Sequence, residues 1–181
     1  MSEYETLYRA GVELVAPLIQ KADDERATIP PSKEILLRRG IDYLKRSLDI
    51  VPTSWPAMWA IGKAYQAFFD DTQSFVWFER ACDVAHENSD VFREASIQAA
   101  RCGRGDKAEL YSWRALQLNP TDAGLLSNHA LGLLLNQKPA DAKIFAERAC
   151  EMAPKDPINK KVLELIVLVL SGEIACPTSL P

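Results

Sequence analysis

Apolar side chains recur at helical spacing along most of the chain. In the segment TSWPAMWAIGKAYQAFF, which starts at Thr53, they are three or four positions apart, as Met58, Ile61, Tyr65 and Phe68. The next segment, SFVWFERACDVA from Ser74, carries a second stripe of this kind, with Phe75, Phe78, Ala81, Cys82 and Ala85. Such spacing gives each segment one apolar helical face. The sequence therefore predicts a helical hairpin.

The hairpin recurs every 34 residues between Gly40 and Pro154. Its last position holds a proline in three copies and a histidine, His86, in the copy that ends at residue 86. Five columns stay in phase without a gap, and they are the closing column Pro52, His86, Pro120, Pro154; an arginine column Arg46, Arg80, Arg114, Arg148; a small column Ser47, Ala81, Ala115, Ala149; an aromatic column Tyr43, Trp77, Tyr111, Phe145; and a second small column Gly40, Ser74, Ala108, Ala142. So many columns in phase predict an internal repeat.

The repeat resembles the tetratricopeptide repeat (TPR), which has the same period and a similar order of apolar, small and aromatic positions. The resemblance is carried by Met58, Ile61-Gly62, Tyr65, Ser74, Phe78, Ala81 in one copy; Phe92, Ala95-Ser96, Ala99, Ala108, Ala115, Pro120 in the next; and Leu126, His129-Ala130, Leu133, Ala142, Ala149, Pro154 in the last. Ser112 and Ala146 depart from it, since they stand where the family has a large residue.

The resemblance implies an all-α, TPR-type solenoid of helical hairpins, wound as a right-handed superhelix. We expect a single domain over residues 1–181. Its expected parts are an extended, atypical first repeat at 4–52 with an insertion near 22–32, a second repeat at 53–86, a third at 87–120, a fourth at 121–154, a capping helix at 155–172 and a tail at 173–181.

Several residues predict where helices begin and end. Ser54, Asp122 and Asp156 have side chains that can accept hydrogen bonds from the first backbone N–H groups of a helix. Pro52, Pro120 and Pro154 stand where a helix must stop.

The capping helix, DPINKKVLELIVLVLS, has little polar face. A helix that is apolar on all sides is usually buried on both sides. Two explanations stay open at this point: the tail GEIACPTSLP folds over the helix, or a second copy or another protein covers it. Leu165, Leu168 and Val169 are the interface residues predicted by the second explanation.

Composition and charge narrow the function classes. The formal net charge of −4 argues against general nucleic-acid binding, which needs clustered Lys and Arg. The longest apolar run, Val162–Leu170, has only nine residues, so no membrane span is expected. The first residues lack the pattern of a signal peptide. The four cysteines form no CxxC pair, which favours a reducing, cytoplasmic location.

Cys82 and His86 are four residues apart, a spacing that can serve a metal site or a nucleophile and its base. The repeat favours a structural explanation for both residues. The column of Cys82 also holds leucine, which indicates a buried apolar position. His86 stands in the closing column, where an imidazole suits a helix C-terminus. His129 likewise falls in a packing column. We therefore predict no enzyme, no metal site and no cofactor.

The resemblance implies that the first helix of each repeat lines a concave groove. The expected partner-binding residues are Trp59, Lys63 and Gln66 in the second repeat, Arg93, Ile97 and Arg101 in the third, and Asn128 and Leu131 in the fourth. Aligning the repeats with the family pattern adds six further positions to the groove, namely Tyr8, Val12, Val15, Asp90, Ser127 and Leu134. Lys63, Arg93 and Arg101 give the groove a basic middle that suits acidic side chains or a free C-terminus. Trp59 and Leu131 suit apolar anchors.

The leading hypothesis is thus a non-enzymatic binding module or scaffold that holds a protein or peptide segment. Some TPR domains clamp chaperone tails with a lysine–asparagine pair in the first repeat. Tyr8 and Val12 stand at those positions here, which argues against such a clamp. One alternative is a chaperone of the type III secretion class, which also uses a compact TPR stack. The other is a self-assembling structural protein that pairs through the apolar C-terminal helix as a homo-oligomer.

Overall fold

The computed structural model describes residues 1–19 and 30–180, and every regular element in these ranges is an α-helix. The helices are α1 (Glu3–Ile19), α2 (Pro31–Ile50), α3 (Trp55–Ala67), α4 (Asp71–Cys82), α5 (Ser89–Arg101), α6 (Gly105–Leu118), α7 (Ala123–Leu135), α8 (Pro139–Met152) and α9 (Pro157–Leu170). The expected insertion near 22–32 lies largely outside the described residues. No helix in the described ranges is long and apolar enough to cross a membrane.

Consecutive helices pair as antiparallel hairpins, which confirms the all-α helical repeat. The pairs are α1 with α2, α3 with α4, α5 with α6 and α7 with α8, and α9 packs on α8. The chain divides into an N-terminal unit, Met1–His86, and a C-terminal unit, Glu87–Pro181.

In the N-terminal unit, two glycines let α1 and α2 approach closely. A methyl group on Gly40 would lie 2.6 Å from Val15 Cγ2, and one on Gly11 would lie 2.6 Å from Leu44 Cγ. In the next hairpin, Ser74 Oγ donates to the carbonyl oxygen of Gly62 at 3.0 Å. Gly40 and Ser74 belong to the same predicted small-residue column, and both are buried because neighbouring helices pass directly over them.

The C-terminal unit is built around an apolar cluster shared by α7, α8 and α9. Its buried members are Ala130, Leu133, Leu134, Ala142, Ala146, Val162 and Ile166. Gly105 at the start of α6 lies against the backbone carbonyl of Leu135, so that contact leaves no room for a side chain. Ser112, which replaces a larger family residue, has its Oγ 3.0 Å from His129 Nδ1, and the ring of Phe145 is edge-on to that of His129 at a centroid distance of 4.6 Å.

The helix ends agree with most of the sequence predictions. Asp122 Oδ1 accepts from Leu125 N at 3.0 Å and Asp156 Oδ1 from Ile158 N at 2.7 Å, so both caps are confirmed. The Ser54 cap is wrong, because the Ser54 hydroxyl bonds Tyr4 Oη at 2.7 Å instead. The helices α2, α6 and α8 each end two residues before Pro52, Pro120 and Pro154, as predicted.

Helix α9 is only partly buried, contrary to the expectation that both of its sides are covered. Only Asn159, Val162 and Ile166 are fully buried on it, whereas Val167 and Leu170 remain 45% and 44% exposed. The tail supplies some cover, since Cys176 packs against the apolar cluster and its Sγ lies 3.1 Å from the carbonyl oxygen of Leu134.

Candidate functional site

In the N-terminal unit, α3 presents Trp59, Lys63 and Gln66 on one face, called here the α3 face. The three side chains are one turn apart, and each is half-buried. The Lys63 ammonium lies 5.7 Å from the centroid of the Trp59 ring. Met58 and Ile61, which lie off this face, are buried, whereas the residues of the α3 face remain partly accessible.

Helix α1 lies beside α3 and begins at the same end of the unit. The bond between Tyr4 and Ser54 joins the first turn of α1 to the residue before α3. Tyr8 stacks on Tyr4 with a centroid distance of 5.8 Å, and burial raises the pKa of its phenol. Tyr8 and Val12 are half-buried, which leaves part of their surface accessible, as for the α3 face.

In the C-terminal unit, Arg93, Ile97 and Arg101 follow one face of α5, called here the α5 face. Arg93 is ion-paired: its Nη1 lies 3.0 Å from Asp90 Oδ1 and its Nη2 3.8 Å from Glu94 Oε1. Ile97 is half-buried and Arg101 is exposed. The positive charge that the sequence predicts at Arg93 is therefore partly neutralised within its own helix.

Helix α7 contacts α5 and carries the remaining predicted residues. Asn128 and Leu131 are half-buried, and Leu131 packs against the edge of the apolar cluster.

Three further residues that were predicted to line the groove are fully buried, namely Val15, Ser127 and Leu134, and so offer no surface. Val15 lies against Gly40 and Leu134 lies inside the cluster, because close helix packing takes these positions into the core.

The predicted interface residues of α9 are less accessible than their neighbours. Leu165, Leu168 and Val169 are half-buried, and Leu165 and Val169 pack against the apolar cluster. The more exposed apolar residues of α9 are Ile158, Val167 and Leu170.

The chemistry of Cys82 and His129 is that of core residues. Burial, together with the carboxylates of Asp83 and Glu79, raises the pKa of the Cys82 thiol to about 12, so it is not a ready nucleophile. Helix α4 ends at Cys82, so His86 lies four residues beyond it, exposed, and not at the helix terminus as expected. Burial lowers the pKa of His129 to about 4. Among the described residues, no group of three or more His, Cys, Asp or Glu side chains is arranged to hold a metal ion.

The sequence interpretation missed an exposed apolar column on the second helices. Leu110 and Ile144 are both exposed, and Trp113 beside Leu110 is 42% exposed although it contacts His129 and Phe145. The signal was present, because Val76, Leu110 and Ile144 are 34 residues apart and all apolar.

Comparison with solved structures identifies the fold. The chain is similar to YrrB, described as a TPR protein with an unusual peptide-binding site, with a TM-score of 0.67 and 18% identity over 92% of this chain and 84% of that one. It is similar to PilF of Pseudomonas aeruginosa with the same score and identity, over 95% of this chain and 72% of that one.

A third similar structure is the first TPR domain of Spaghetti (RPAP3) bound to the HSP90 peptide SRMEEVD. It has a TM-score of 0.59 and 19% identity, over 65% of this chain and 93% of that one. No protein-family model and no curated protein matches the sequence. The helical hairpins, their period and these likenesses define a protein with the tetratricopeptide-repeat fold.

Proposed function

We propose that the protein is a non-enzymatic module that binds a segment of another protein through the first helices of its repeats. The observation that carries this proposal is the α3 face. A tryptophan left half-buried on an otherwise well-packed helix, with a lysine ammonium 5.7 Å from its ring, combines apolar area and positive charge at one point. Tryptophan and cations are common energetic centres of protein interfaces.

The partner that suits these residues has an apolar anchor near an acidic group. The anchor would contact Trp59 and the aliphatic stem of Lys63, while the ammonium attracts the carboxylate. In the C-terminal unit, Ile97 and Leu131 favour apolar contacts, and the Arg93–Asp90 pair makes that unit less selective for acidic segments. The peptide-bound state of the Spaghetti domain supports peptide binding as a use of this fold.

The test is capture of a partner from the native cell by the purified protein. Lys63→Glu with Arg93→Glu reverses charge on the α3 and α5 faces, and we expect at least a tenfold loss of captured partner. Arg114→Glu with Arg148→Glu is the matched control, because it makes the same charge change at exposed positions on second helices. Circular dichroism should show equal helicity for both variants. Equal capture by the two double variants would refute binding through the first helices.

A second candidate function is self-association through α9, which the exposure of Val167 and Leu170 favours. Exposed apolar side chains adjoining a core are typical of interaction surfaces. This candidate predicts an oligomer of the purified protein without any partner.

A further inference from the structure

The tail from Glu173 to Leu180 crosses the carboxyl ends of α7 and α5 in the C-terminal unit. Cys176 Sγ lies 3.1 Å from the carbonyl oxygen of Leu134 in the last turn of α7. Gln137 Nε2, just after α7, donates to the carbonyl oxygen of Pro177 at 3.3 Å. The backbone N–H of Leu180 then donates to the carbonyl oxygen of Ala100 in the last turn of α5 at 3.0 Å.

These contacts are of the kind that recognise an extended peptide. The carbonyl oxygens of Leu134 and Ala100 each accept one local bond, from the backbone N–H groups of Gln137 and Gly103, and a carbonyl oxygen can accept a second bond, which the tail supplies. The tail supplies one backbone donor and one backbone acceptor, and Cys176 fits its small side chain against the apolar cluster. Pro177 keeps this part of the tail from forming a helix. Because main-chain bonds carry much of the contact, another chain with a similar segment can make the same contacts.

The docked tail also ends beside the α5 face. Ala100 lies one helical turn beyond Ile97 and directly before Arg101, and its side chain is buried. Leu134 lies one turn beyond Leu131 on α7. A partner segment that follows Ile97 or Leu131 toward the carboxyl ends of these helices therefore meets the tail.

We propose that the carboxyl ends of α5 and α7 form a docking site for an extended protein segment, and that the tail occupies this site in cis and competes with the partner. The segment it fits has a small apolar residue, then a proline whose carbonyl accepts from Gln137, then a backbone N–H three residues later for Ala100. The docking site stands on the tail contacts alone, whereas the competition rests on the proposed function.

A labelled peptide with the sequence of residues 172–181, GEIACPTSLP, tests the docking site in trans. In the unaltered protein the tail is present at a high effective concentration, of the order of millimolar, so the peptide should bind weakly. Cys176→Asp with Leu180→Pro in the full chain releases the tail, because the first change puts a carboxylate against apolar side chains and the second removes the N–H that bonds Ala100.

We expect the released protein to bind the peptide at least tenfold more tightly than the unaltered protein by fluorescence anisotropy. Ala175→Asp with Leu180→Ala is the matched control, since it places the same charge at an exposed position and keeps the N–H. The control should behave as the unaltered protein does. Equal affinity of the released and unaltered proteins, or no binding to the released one, overturns the docking site.

Hydrogen exchange on the unaltered protein gives a second readout that needs no variant. The Leu180 amide should exchange more slowly than the same amide in the free peptide, and equal rates would also overturn the proposal.

The amount of partner captured by each variant then tests the proposed competition independently of the proposed function. The released protein should capture at least threefold more partner than the control, and equal capture overturns the competition. Peptide binding without any dependence of capture on Lys63 and Arg93 would instead refute the proposed function and leave the docking site intact.

Discussion

His129 is a polar side chain held in an apolar environment within the C-terminal unit. Its Nδ1 lies 3.0 Å from Ser112 Oγ, and its ring centroid is 4.6 Å from that of Phe145 and 5.2 Å from that of Trp113. Burial is the main cause of its low pKa of about 4. The imidazole is therefore neutral at pH 7, and protonation places a charge among these rings.

Acid should destabilise the protein through this residue. The unfolded chain binds a proton below about pH 6.5 and the folded chain only below about pH 4. Because the unfolded state binds more protons in this window, the free energy of unfolding should decrease as the pH falls from 6.5 toward 4. Between pH 7 and 4.5 the loss attributable to His129 is up to about 2.5 kcal/mol.

Urea unfolding at several pH values measures this loss. His129→Leu should flatten the decrease, and His86→Gln at an exposed position serves as the control. Burial acts to raise the pKa of Glu109, but hydrogen bonds from Asn136 and Lys138 outweigh it and lower this pKa overall. Protonation of Glu109 therefore also decreases the free energy of unfolding, at pH values below about 4.5. An equally steep decrease in His129→Leu above that pH would contradict the assignment.

At the residue scale, the repeat placed His129 in the core correctly, but it did not identify the hydroxyl beside it. Ser112 was visible only as a departure from the family pattern. The pairing depends on how α6 packs on α7, since that packing brings Ser112 Oγ to the imidazole. A column-by-column alignment does not contain such a contact between two neighbouring helices.

At the scale of elements, the crossing of α1 and α2 is set by Gly11 and Gly40. The position of a methyl group on Gly40 would be 2.6 Å from Val15 Cγ2 and 3.1 Å from the carbonyl oxygen of Gly11. The side chain of Val15 can move only by disturbing the core, and the backbone of α1 must shift to relieve the second contact.

We therefore expect Gly40→Ala to destabilise the protein by about 1–3 kcal/mol, despite the higher helix propensity of alanine. Chemical denaturation monitored by circular dichroism measures the change. Asp42→Ala, at an exposed position two residues along the same helix, is the control and should differ little from the unaltered protein. Equal stability of Gly40→Ala and the control would show that the helices separate without cost.

The helix ends show what local sequence determines and what it does not. Asp122 and Asp156 cap their helices because the acceptor and the N–H groups are close in the chain. Ser54 has the same local pattern, yet its hydroxyl bonds Tyr4, which is 50 residues away in the chain. Likewise, α4 stops at Cys82 although the repeat pattern runs on to His86. For Ser54, the contact with the distant Tyr4 decides the outcome.

At the scale of the molecule, the period of 34 residues was sufficient to predict the succession of helical hairpins, because the two helices of each repeat bury their apolar faces against each other. The same columns left Trp59, Lys63 and Gln66 outside the packing positions, and their role as groove residues stays a prediction. The columns did not predict the pairing of Arg93 with Asp90, which depends on side-chain conformation, or the path of the tail, which has no periodicity.

Helix α9 raises the question of assembly, because it has no second helix to complete its hairpin in the described chain. The tail covers the edge near Cys176, but Val167 and Leu170 stay 45% and 44% exposed, so covering the rest of each would contribute about half of the ~1.5–3 kcal/mol gained on burying a fully exposed side chain. In a symmetric dimer that pairs on this face, Val167 and Leu170 of both copies would be buried. We therefore expect the purified protein to show a concentration-dependent dimer in sedimentation velocity.

Two variants with the same chemical change locate such a contact. Val167→Glu with Leu170→Glu should give a monomer at every concentration, because a dimer would bring four carboxylates into an apolar contact. Leu110→Glu with Ile144→Glu replaces exposed apolar residues on α6 and α8 and should leave the dimer intact. Loss of the dimer only in the second variant would move the contact to the outer column of the second helices. An unaltered protein that stays monomeric at the highest concentration reached would exclude self-association and leave partner binding as the use of these surfaces.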